Sequence, residues 1–177
     1  MNYEKKDLIF KAYDLLCDVT PKKNDCGLLC GGACCKENSS HGEDGGQCGM
    51  LILPGEKELL EGAEEFSFVE SHEGDMLVCS GRCLRELRPF ACRIFPFYPK
   101  INEVSGKIYI KILPDPRASG ICPIFNDPRR RKTHITFLRN AKKAVRILIN
   151  DADIRKELIS QSDMITDIEA LRKKILN

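Results

Sequence analysis

The sequence predicts an α+β fold, with a small irregular cysteine-rich core of short strands and a hairpin between helical ends. Three observations lead there. Apolar residues recur at helical spacing near the N-terminus and again after residue 133. The stretch between them carries short apolar or alternating runs of strand type. Nine of the ten cysteines fall between residues 26 and 122. With 177 residues, 42% hydrophobic and 31% charged, the chain can bury one real core. One domain over residues 1–177 is therefore expected, with a cysteine-bearing core at 20–125 and a helical part at 128–177.

Taken in order, residues 2–19 read as an amphipathic helix. Leu8, Ile9, Ala12, Leu15, Leu16 and Val19 share one side of it, and Cys17 falls on the other. Thr20-Pro21 ends it. Residues 36–49 form a polar, glycine-rich connection without a phosphate-loop or dinucleotide fingerprint. Met50–Leu53 reads as a short buried strand. Pro54-Gly-Glu-Lys-Glu opens a helix, with proline and acids where a helix start favours them. Phe66–Val69 and Met76–Cys79 are two further short strands. Gly106 marks the turn of a hairpin pairing 97–103 with 107–113; its second arm alternates as a half-buried strand does, and Pro99 makes the first arm an edge. Three helices are expected at 133–149, 152–160 and 163–176, with Asn150-Asp151 and Ser162-Asp163 as turns and caps. Leu138, Ala141, Val145, Leu148 and Ile149 form the apolar stripe of the first.

The stretch that demands a chemical explanation is Cys26-Gly-Leu-Leu-Cys30-Gly-Gly-Ala-Cys34-Cys35. Four sulfurs in ten residues, separated largely by glycine, leave almost nothing to bury. Gly27, Gly31 and Gly32 permit the positive-φ turns that aim a short backbone's thiolates at one point. No apolar run approaches the roughly 20 residues of a membrane helix, and the N-terminus shows no secretory signal. A reducing, cytoplasmic setting follows as the expectation, and there metal ligation is the better reading of these cysteines than disulfides. Downstream, Cys79-x3-Cys83 leads into Arg88-Pro-Phe-Ala-Cys92-Arg-Ile-Phe-Pro96, and Cys122 follows in Gly-Ile-Cys-Pro.

Together these residues resemble the cysteine-cluster proteins described as zinc- or iron-chelating domains. Their pattern is a tight four-cysteine run ending in Cys-Cys, then a Cys…Cys segment leading into Arg-Pro-x-x-Cys-Arg-x-Phe/Tyr-Pro. The resemblance covers roughly residues 26 to 125 and includes Arg88, Pro89, Arg93 and Pro96. It implies a metal held by thiolates of two segments: Cys26, Cys30, Cys34 and Cys35 on one side, Cys79, Cys83, Cys92 and Cys122 on the other. Both gaps in the first run hold three residues where the usual pattern has two, and Cys48 has no place in the pattern. All-cysteine ligation fits structural zinc and equally a 4Fe–4S cluster.

Four thiolates on a divalent ion leave negative charge, so cations belong around it. Arg88 and Arg93 are the candidates, while Arg82 and Arg85 read equally as solvated. Phe90, Phe95, Phe97 and Tyr98 either screen the site or belong to the core. His41 and His72 are loop histidines that more often would not ligate.

Two other functions compete with plain metal binding. A more distant similarity to the flagellin lysine N-methylase implies an iron–sulfur enzyme acting with S-adenosylmethionine; the C-x3-C-x2-C loop of radical enzymes is missed by one residue at Cys26, Cys30 and Cys34. Nucleic-acid binding with a structural zinc is the other. Between Arg129 and Arg146 there are eight basic residues and no acid, with Arg139, Lys142, Lys143 and Arg146 on one helix face. A solvated face is the commoner origin of such a pattern, no aromatic residues interleave, and the eight acids between Glu56 and Asp75 can neutralise it.

Overall fold

The computed structural model describes residues 3–22, 29–34, 49–72, 74–79, 83–126 and 133–176. The expected α+β architecture is what it shows, in three parts: a helical pair, a two-stranded hairpin and a small three-stranded sheet.

The helical pair is α1 (Tyr3–Leu16) against α6 (Ile135–Leu148). On α1, Ile9, Ala12 and Leu16 recur one face apart and are all buried; on α6, Phe137, Ala141, Ala144, Val145 and Leu148 do the same. Alanines at 12, 141 and 144 keep the contact surfaces low, so the two helices can approach closely. Tyr13, absent from the expected stripe, is buried too. Helix α1 also stops three residues short of the expected Val19. The Arg85 guanidinium takes the Cys17 and Val19 carbonyls, satisfying backbone oxygens that a longer helix would have left open.

The hairpin is β4 (Phe97–Val104) with β5 (Lys107–Pro114), turning at Ser105-Gly106 with both residues at positive φ (51° and 74°). Ile110 is buried and Ile108 and Ile112 half-buried, while Lys107, Tyr109 and Lys111 face solvent, as the alternation predicts. Pro99, opposite Ile112, sits in a ribbon whose two strands are both edges.

Helix α7 (Ala152–Leu176) lies across β4 and is one continuous helix, so the expected break at Ser162-Asp163 does not occur. Ser162 is buried, and its Oγ accepts the Ile101 N–H at 3.0 Å. A polar residue that resembles a cap is instead the helix's bond to the hairpin. Asp151 does cap α7, accepting the Asp153 and Ile154 N–H groups at 3.0 Å each.

The three-stranded sheet has the order β1 (Met50–Leu51), β3 (Gly74–Cys79), β2 (Phe66–Ser71), all antiparallel. A short helix α2 (Glu56–Leu60) follows Pro54-Gly55, with Gly55 at φ 96°. Ile52, Leu60 and Leu77 make a small apolar cluster under this sheet, separate from the main core. Further short helices are α3 (Phe90–Ile94), α4 (Ala118–Ile121) and α5 (Pro123–Asn126), with a single 3-10 turn at Arg85–Leu87. Among the described residues, no helix is long and apolar enough to cross a membrane.

Candidate metal centre

The glycine-rich loop turns as its composition predicts. Leu29-Cys30 and Ala33-Cys34 are helical, and between them Gly31 and Gly32 adopt φ of 64° and 69°. A Cβ on Gly32 would touch nothing within 4 Å, so the backbone angle, not crowding, is what calls for glycine there. Gly27, Cys26, Cys35, His41, Cys48 and Arg82 lie outside the described residues, as do Arg129, Arg130, Arg131 and Lys132 of the basic stretch.

The described cysteines of both segments face one cavity. Cys30 and Cys34 from the loop, Cys79 at the end of β3, Cys83 beyond it, Cys92 in α3 and Cys122 at the C-terminus of α4 all line a space of about 90 Å³. Cys122 is buried, its N–H bonded to the Ala118 carbonyl at 2.8 Å, and Cys30 packs directly against this end of α4 together with Phe95. Met50, Phe66, Leu77 and Phe95 supply apolar wall. Cys17 is not on that wall. It sits exposed past the end of α1, its thiol donating to the Asp18 carboxylate at 3.3 Å. Desolvation and that carboxylate raise its pKa.

By donor type and by convergence on one cavity, these residues fit a thiophilic metal. Among the described residues, however, no group of three or more His, Cys, Asp or Glu side chains stands in a position to hold an ion. The described thiols thus share a cavity without forming a finished coordination shell.

The two candidate arginines separate. Arg88 lines the cavity. Arg93 is buried and not on that wall: Nε donates to the Arg88 carbonyl, a terminal nitrogen to the Glu86 carbonyl, each at 2.7 Å, and the guanidinium lies 4.0 Å from the Tyr13 ring centroid. It shapes the backbone around Cys92 instead of facing the cavity. Arg85, read equally as solvated, caps α1. The aromatics separate as well: Phe95 is on the cavity wall, Phe90 and Phe97 belong to the main core, and Tyr98 is buried beside α7. His72 is exposed at the turn between β2 and β3, off the cavity wall.

Glu56 is the residue whose burial sequence reasoning missed. Expected only as an acid favourable at a helix start, where it does sit, it is also fully buried. One carboxylate oxygen accepts the Tyr13 hydroxyl and the Phe90 N–H (2.6 Å), and the other accepts the Leu53 N–H at 2.7 Å. Burial raises its pKa against the opposing pull of these three donors and of Arg93, and burial with the Glu56 charge raises that of Tyr13. Nothing in the local sequence distinguishes Glu56 from Glu58 or Glu61; the Tyr13 partner is 43 residues away. Its burial also takes one charge out of the acidic 56–75 stretch, where Lys57 pairs loosely with Glu70 and Asp75. On α6, Arg139, Lys143 and Arg146 are exposed and Lys142 half-buried.

Compared with family models, curated proteins and solved structures, the chain matches none of them. The cysteine-cluster resemblance therefore stands on its motif residues alone.

Proposed function

We propose that this chain is a metal-binding protein, holding zinc or iron (alone or as an iron–sulfur cluster) through cysteine thiolates from its two cysteine segments. One observation carries the reading: six cysteines from separate stretches of chain line a single cavity, while Cys17, which the motif excludes, stays outside. Buried cysteine is often only a small apolar side chain, but that explains six of them on one cavity poorly when Leu or Val would fill the space better. Bound there, the metal would supply the cross-links that the short elements at this end lack, and its thiolate charge would be offset by Arg88 on the wall. No second function has an observation of its own in favour.

Elemental analysis and an absorption spectrum of anaerobically purified protein test the reading. Zinc or iron bound near stoichiometrically is expected; visible thiolate–iron absorption with labile sulfide would select the iron–sulfur form and reopen the methylase-type chemistry. A chain that holds neither metal contradicts the proposal.

A further inference from the structure

The two walls of the cysteine cavity are built from short elements. Strand β1 has two residues and helix α3 five, far below the length at which a helix is stable by itself. Pro89 at the start of α3 gives no side-chain cap. The acceptor that a cap would have supplied comes from the Glu56 carboxylate, which takes the Phe90 N–H at 2.6 Å. The same carboxylate takes the Leu53 N–H at 2.7 Å. Leu53 lies two residues beyond β1, and β1 pairs with β3, the strand ending in Cys79. Cys92 lies between Phe90, fixed by Glu56, and Arg93, fixed on the Glu86 and Arg88 carbonyls.

From this geometry, and resting on the metal reading above, we infer that Glu56 is a positioning residue of the metal centre. Its carboxylate ties the segment just past β1, the neighbour of the Cys79 strand, to the start of the helix that carries Cys92, and so sets the separation of their thiols. Tyr13 donates to the carboxylate and Arg93 lies over the Tyr13 ring, and neither lines the cysteine cavity. A residue that only satisfied polar groups in the core would stabilise the chain and leave the metal's coordination alone.

Anaerobic titration of the metal-free full-length chain with Co²⁺ separates these roles, because thiolate-to-cobalt charge-transfer and ligand-field bands report sulfur ligation and its geometry. Glu56→Gln is expected to weaken Co²⁺ binding by about 10- to 100-fold, the range for lost outer-shell partners, and to change the ligand-field envelope. Tyr13→Phe removes one hydroxyl and keeps both backbone bonds to Glu56, so it should shift binding the same way by less; it also serves if Glu56→Gln does not fold. Val145→Ala, buried on α6 and off the cavity wall, is the control for lost stability. Wild-type affinity and bands in both Glu56→Gln and Tyr13→Phe would overturn the inference, as would an equal loss in Val145→Ala. A wild-type chain that develops no thiolate–cobalt bands would instead remove the metal reading on which it rests.

Discussion

The two ends of this molecule are held together differently. At the helical end, α1, α6, α7 and the hairpin share one large apolar cluster running from Ile9 to Leu158, and its central side chains exclude water almost completely. At the cysteine end, α3 reaches that main cluster through Phe90 and Ile94, and the other apolar groups are two small sets: Ile52, Leu60 and Leu77 under the three-stranded sheet, and Ala118 with Cys122 beside Cys30 and Phe95. The elements there are two to six residues long. Burial at about 25 cal/mol per Å² can sustain the first end and supplies far less at the second. The motif cysteines collect where apolar burial is scarcer, and the buried Glu56 carboxylate sits at the junction of the two regimes, bonded to α1 on one side and to α3 and Leu53 on the other.

Removing the metal should break the comparison most sharply. Structural thiolate sites contribute on the order of 10 kcal/mol or more, so chelation should open the cysteine end to proteolysis at residues 83–96 while much helical circular dichroism survives. Loss of all helicity on chelation would show that the two ends are one cooperative unit. Leu148→Ala attacks the opposite end and should cost about 2–5 kcal/mol in denaturant unfolding, with the metal content of the folded protein unchanged. Ser162→Ala leaves the Ile101 N–H without its acceptor and should cost about 1–3 kcal/mol, again without effect on metal.

The smallest effect is one of pH. Glu56 has a folded pKa raised above the ordinary glutamate value, chiefly by burial. The folded chain therefore holds this proton to higher pH than the unfolded one. Its contribution to stability is fullest below the ordinary value and is lost as pH rises through the raised one. The melting-temperature advantage of wild type over Glu56→Gln should accordingly shrink with rising pH in that window, with Tyr13 and Arg93 as the neighbouring titratable groups. A pH-independent difference would place the carboxylate's proton equilibrium outside the stability account.

Much of this division was legible in the sequence. The stripes Ile9–Ala12–Leu16 and Ala141–Val145–Leu148 name their buried faces because a 3.6-residue period leaves little choice. The alternation of residues 107–113 names the hairpin, and the position of Cys17 away from the α1 stripe places it outside the cysteine set. Pairwise long-range chemistry was not legible. Ser162 reads as a helix boundary until the Ile101 N–H is brought to it, and Arg93 reads as a partner of thiolates until Tyr13 is placed beneath it. Glu56 fails in the same way, since its burial depends on donors from three other places in the chain.

Differential alkylation read by mass spectrometry tests the central claim most directly, because it asks the thiols themselves. In the protein purified anaerobically, exposed Cys17 should label whether or not a chelator is present, while Cys30, Cys34, Cys79, Cys83, Cys92 and Cys122 resist, and a chelator should expose those six together. Protection that a chelator leaves unchanged would mean that burial alone shields them, and the metal reading would fall.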